Sequence, residues 1–173
     1  MQIRTIRKPL VALAALLTVG VLFVAALAGS ARSTPPAGSA GSSPSVPVKL
    51  VPLARATIAD GFRIHVDGIK MNVTGPVDVA VADLPFPRGG TTGWHSHPGV
   101  TLVAVKRGTV TRYGADGCTR ESFQAGQGFV EMPNAVHMVR NESALPAETI
   151  VTFIVPVGAP VKTDEPAPAG CNP

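Results

Sequence analysis

Arg88-Gly89-Gly90-Thr91-Thr92-Gly93-Trp94-His95-Ser96-His97 joins a glycine-rich turn directly to a His-x-His pair. On a strand, residues two apart point to one face, so His95 and His97 present both imidazoles together while Trp94 and Ser96 face the other way. Neutral imidazole is a good ligand for Fe, Cu, Ni or Zn. His137 opens a later strand and completes a facial trio if the two strands meet. A His-x-His pair alone also decorates many surface strands, so the spacing around it carries the weight.

Outward from this pair, the chain from about Lys49 consists of short segments rich in β-branched residues, separated by Gly, Pro and Asp. Strands are expected at 56–58, 62–66, 78–84, 93–97, 101–107, 109–113, 128–132, 137–141 and 148–156. No stretch after residue 48 holds a helical period for three turns. Many short strands with Gly/Pro-rich turns predict an all-β antiparallel sandwich or barrel. Gly114 to Gly117 reads as a hairpin connection. Tyr113, Phe129 and Phe153 read as core rather than a substrate platform, and His65 as an ordinary strand histidine. Asn72 and Asn141 each begin a glycosylation sequon, but Asn141 is accounted for as a turn residue.

Gly89, five residues, His95-x-His97 and then Gly108 resemble the first motif of the cupin family, Gly-x5-His-x-His-x3,4-Glu-x6-Gly. Pro133 to His137, followed by Asn141, resembles the second, Gly-x5-Pro-x-Gly-x2-His-x3-Asn. The short span between them, 109–125, is like that of microbial single-domain cupins. A narrower likeness is to exported actinobacterial cupins carrying Gly-Trp-His-Ser-His-Pro-Gly, here 93–99, and two cysteines. The resemblance implies a cupin jelly-roll β-barrel holding one divalent transition metal (Fe, Cu, Ni or Zn) on His95, His97 and His137. It implies a small-molecule substrate or ligand and no single reaction. As cupins often pair through their sheets, a homodimer is compatible with it.

Two departures alter the expected chemistry. The family's Glu ligand falls at Thr101, whose hydroxyl is a poor metal ligand. Three neutral imidazoles then leave the ion's charge uncompensated and disfavour hard Mn, and a Glu placed at 101 should reverse this. His137 also lies four residues after Pro133 rather than five, with Ala135 where Gly is usual. Glu131 is a carboxylate two residues before Pro133, on the strand leading into the second motif. Pointing inward, it would be a fourth ligand or an acid/base group. The expectation is that Val130 and Met132 face the core and Glu131 faces water, since charged side chains rarely face a core.

Arg4, Arg7 and Lys8 precede a charge-free apolar run over 9–31. A positive flank, apolar run and small residues form a secretory signal, yet the run nearly spans a bilayer core of roughly 30 Å. Residues 1–31 are therefore read as a signal peptide or a transmembrane signal anchor, and either one exports the domain. Residues 32–48, rich in Ser, Gly and Pro, read as a flexible linker, and 49–173 as the domain.

Without Arg32 and the three leader charges, eleven basic residues face eleven acidic ones, scattered singly. Such a balance excludes a nucleic-acid-binding footprint. Cys118 and Cys171 are the only cysteines, and in an exported protein a lone pair reads as a disulfide. Cys171 sits in a proline-rich tail with little else to hold it. Two functions fit: a metal-dependent enzyme, an oxygenase or another oxidoreductase on a small molecule, or a non-catalytic module that binds or senses a ligand.

Overall fold

The computed structural model describes residues 45–171 and 173. The expected leader, 1–31, and most of the expected linker lie outside them. Among the described residues no helix forms, and none is long and apolar enough to cross a membrane. The strands are β1 (Val46–Pro47), β2 (Val51–Ile58), β3 (Phe62–Val66), β4 (Ile69–Val73), β5 (Val77–Phe86), β6 (Gly90–Thr91) and β7 (His95–Ser96). They continue as β8 (Val100–Arg107), β9 (Thr109–Gly114), β10 (Arg120–Gln124), β11 (Gly128–Glu131), β12 (His137–Arg140), β13 (Ala147–Pro156) and β14 (Thr163–Asp164).

These strands build a jelly roll of two main sheets and a separate β3–β4 hairpin. One sheet runs β11-β8-β13-β5-β2 and is antiparallel throughout. The other runs β1-β6-β12-β7-β14, with β9 joining β12 and β10 joining β9. The alternation of β13 explains its central place: Thr149, Val151, Phe153 and Val155 are buried, while the residues between them are partly exposed. They meet Val103, Val105 and Phe129 of the same sheet and Val110 and Val139 of the other. Burying each such Val or Phe contributes roughly 1.5–3 kcal/mol, so the shared core, not metal, makes the fold.

Several elements depart from the sequence-based expectation. β4, β6, β10 and β14 were not expected, and 93–97 is strand only at His95–Ser96. Val46–Pro47, within the stretch read as linker, runs parallel to β6, with the Val46 and Val48 amides donating to Gly89 and Thr91. Asn141 is fully buried, and its Nδ2 donates to the carbonyls of Phe86, Pro87 and Leu145. That amide therefore closes the loop after β12 and is not a glycan acceptor.

Two glycines are required by geometry. Gly93, at φ 66°, turns the chain into β7, a conformation that costs other residues energy. At Gly99 a Cβ would lie 2.0 Å from the Ile154 carbonyl oxygen, so only glycine lets the chain pass this close to β13 on its way into β8.

Asp78 on β5 gathers three elements. Its carboxylate accepts from Arg55 Nη2 at 2.6 Å, Thr57 Oγ1 at 2.6 Å and the Gly158 amide at 2.9 Å. The hydrogen bond from Thr57, then those from Gly158 and Arg55, hold its carboxyl down at about 2. A depressed carboxyl contributes stability above its unfolded value of about 3.9, and that contribution is lost as pH falls towards 2. Asp78→Asn should therefore lower the melting temperature at pH 7, with the gap to wild type closing on acidification through this window. A gap that does not change with pH contradicts this assignment.

Candidate metal centre

β7 and β12 are antiparallel neighbours, and His137 stands directly opposite His95. His97 follows β7 by one residue and turns to the same interior face. The three rings cluster with centroids 4.4–5.0 Å apart, and all three side chains are buried. The structure thus brings the three expected histidines together. His65 lies exposed on the separate hairpin and takes no part.

Each histidine is oriented by a backbone carbonyl. The Nδ1 atoms of His95, His97 and His137 donate to Gly93 O at 2.9 Å, Val161 O at 2.6 Å and Ala135 O at 2.8 Å. A proton fixed on Nδ1 leaves Nε2 as a lone pair, the tautomer that a metal ligand needs. Burial, and then the adjacent His137 ring, pull His95 from the ordinary imidazole range down to about 3. It is thus neutral at physiological pH.

Glu131 corrects the sequence reading. It is 4 % exposed, while Val130 and Met132 on either side are 45 % and 62 % exposed. Alternation along β11 decides this: Phe129 enters the core, so Glu131, two residues on, enters it too. Its Oε2 lies 3.0 Å from His97 Nε2 and its Oε1 3.1 Å from His137 Nε2. Burial alone would raise this carboxyl; N–H donors or positive charge at the His137 and then the His97 ring outweigh it and hold the group at about 2. Where both Nε2 atoms are lone pairs, a bound cation takes that role. The carboxylate is therefore ionised at neutral pH.

His95, His97, Glu131 and His137 offer one ligand atom each within 4.8 Å of one another, a group that can hold a metal ion. The Nε2 atoms of His97 and His137 face the carboxylate at contact distance, yet neither is aligned for a hydrogen bond. Buried polar atoms rarely stay unpaired. Lone pairs and carboxylate oxygens aimed at a common point are the arrangement a cation satisfies. Glu131 pairs in register with Thr101, so a buried carboxylate stands on the neighbouring strand directly opposite the position where the family's motif has its Glu. The expectation against Mn rested on a charge-free donor set, and Glu131 removes its basis.

The shortened second motif is accommodated by its turn. Asn134 takes the left-handed conformation at φ 58°, Ala135 N–H closes on Met132 O, and Asn134 N–H donates to His97 O at 2.8 Å. Asparagine, tolerant of this region, thus does one position early what the usual glycine does.

The tail, expected to be loosely held, is a strap over β7. β14 pairs with β7, Glu165 N–H donates to Trp94 O, and Ser96 Oγ donates to Glu165 at 2.7 Å. Cys118 and Cys171 are joined, with Cα atoms 5.5 Å apart. The same strap supplies the Val161 carbonyl that orients His97.

His95, His97 and Glu131 open onto a cavity of about 300 Å³ between the sheets, walled largely by Leu, Val and Phe. Phe153 is both core and cavity wall, its ring 5.4 Å from that of His97. On the other side Glu131 and His137 border a more polar cleft with Arg112, Asp116 and Glu121.

Fold and site together define a double-sheet jelly-roll protein with a buried three-histidine, one-carboxylate group. The sequence model of the cupin domain matches residues 84–153, and this stretch belongs to the cupin superfamily. No curated protein matches it. Among solved structures it is similar to an oxalate oxidase in complex with glycolate, at 26 % identity over 43 % of this chain and a TM-score of 0.39. It spans 41 % of that oxidase's length. It is also similar to a cupin domain from Bordetella pertussis Tohama I, at 21 % identity over 56 % of this chain and 94 % of that one, with a TM-score of 0.40. An oxalate decarboxylase from Lactobacillus farciminis matches at 20 % identity over 50 % of this chain and 26 % of its own, with a TM-score of 0.44.

Proposed function

We propose that this is an exported cupin whose His95, His97, Glu131 and His137 hold one divalent transition metal and act as an oxidoreductase centre for a small molecule. One observation carries the reading: three carbonyl-bound Nδ1 atoms leave three Nε2 lone pairs directed, with a buried carboxylate, at one point. When bound, such a metal supplies Lewis acidity and, if redox-active, electron transfer to substrate or dioxygen. The chain's own part is to fix the donors, neutralise one charge through Glu131 and keep the site dry.

The cavity narrows the chemistry. Its only titratable lining residues are His95, His97, Glu131 and Lys162, and the first three belong to the donor set. Within this cavity, reactions that need an independent general acid or base find only Lys162, which is already paired with Asp164. Redox chemistry at the metal has no such need. The same shortage of acid/base groups equally suits a non-catalytic module that captures a small ligand.

Dioxygen uptake by iron- or copper-loaded protein, with a panel of small thiols and phenols, separates the two readings. The oxidoreductase reading predicts substrate-dependent uptake that disappears in His95→Ala. Uptake no greater than that of free metal with every compound leaves the binding module. Export is read from the leader composition and the disulfide, and is checked by fractionating cells and sequencing the mature amino terminus.

A further inference from the structure

The cavity beside the ligand group points to the class of molecule it takes. Resting on the metal reading above, we propose that the ligand is a small, largely apolar monoanion. Its anionic head meets the metal beside His95, His97 and Glu131, and its apolar body lies among Leu84, Phe86, Val151 and Phe153.

Size comes first. A 150 Å³ apolar cavity takes a benzene-sized guest, so the 300 Å³ here accommodates a substituted ring or a short branched chain. This is the lower end of the ligand-pocket range, roughly 300–1,000 Å³.

Charge comes second. A divalent ion held by three neutral imidazoles and the Glu131 carboxylate keeps one net positive charge, which a single anionic head neutralises. The wall's other polar residues outside the donor set are Thr92, Thr149 and Lys162. A second anionic group set among Leu84, Phe86, Val151 and Phe153 would be an unpaired charge in apolar surroundings, which is strongly disfavoured. Lys162, the remaining lining cation, is already paired with Asp164 and hydrogen-bonded to Thr92 O. It sits at the cavity's exposed rim, so a second anionic group would have to reach past the apolar wall and compete with Asp164 and solvent for it. Both ends of the proposed molecule thus meet complementary surroundings, and a dicarboxylate meets them at only one end.

Isothermal titration of the zinc-loaded full chain separates the two halves of the proposal. 4-Methylbenzoate and benzene-1,4-dicarboxylate share one shape and differ by the second charge, while 4-methylbenzyl alcohol removes the first. The expected result is 4-methylbenzoate binding at least about tenfold tighter than either. Leu84→Asp, at a partly buried wall position, should weaken 4-methylbenzoate about tenfold or more while zinc stays at the wild-type ratio. Leu50→Asp, nearer the surface, serves if Leu84→Asp does not fold.

A dicarboxylate that binds as tightly as 4-methylbenzoate overturns the proposal, as does an alcohol that does so or a wall variant without effect. Each of these leaves the metal reading intact. A protein that takes up no zinc contradicts the metal reading and removes the head-group half of this proposal with it.

Discussion

Glu131→Gln is expected to weaken zinc binding by at least about 100-fold, more than the 10–100-fold typical of losing an outer hydrogen-bond partner. It removes the only charged donor in the group and leaves the three imidazoles facing a neutral amide. The sharper test is compensation. Thr101 and Glu131 are directly paired across β8 and β11, both buried on the same face, and such partners have Cβ atoms roughly 4.5–5.5 Å apart. Thr101→Glu with Glu131→Thr should therefore recover most of the lost affinity by returning the carboxylate to the family's position. Thr101→Glu alone should not tighten Mn binding, contrary to the sequence-based expectation, because it sets two buried carboxylates against each other. Zinc and manganese competition titrations on the four proteins check this. A double variant no better than Glu131→Gln contradicts the relocation.

Cys171→Ser is the second large effect. The disulfide closes a loop with a sequence separation of 53, so its loss should cost about 4 kcal/mol in the chain-entropy model. Freeing the strap also loosens the Val161 carbonyl that orients His97, and metal affinity should fall by up to about tenfold. Denaturant unfolding and zinc competition, each with and without reductant, read the two consequences separately. Wild type with reductant should behave as the variant does, and the variant should not respond to reductant. Unchanged zinc affinity would show that β14 pairing alone holds the strap in place.

The site was partly legible in the sequence, and the reasons differ by residue. His95 and His97 were readable because period-two spacing on a strand leaves one geometric outcome. His137 was readable through the motif, although its register against His95 came only with the fold. Glu131 was misread because a charge between Val130 and Met132 resembles an outward residue flanked by inward ones. Phe129, two positions earlier, held the opposite phase and was the stronger signal, since an aromatic core residue fixes its strand's register. The strap was hidden by composition. Thr163–Asp164 is too short to show alternation, and its prolines read as loose tail. β10 was missed because Arg120, Glu121 and Gln124 place polar residues at most of its positions.

The central claim is that His95, His97, Glu131 and His137 hold one metal ion together, and elemental analysis of dialysed, metal-loaded protein tests it most directly. Wild type should retain one divalent ion per chain. His95→Ala, His97→Ala and His137→Ala should each fall well below that ratio while keeping wild-type β-sheet circular dichroism, because the shared apolar core is untouched. A wild-type protein that retains no ion after dialysis, or three alanine variants that retain it as wild type does, would contradict the account.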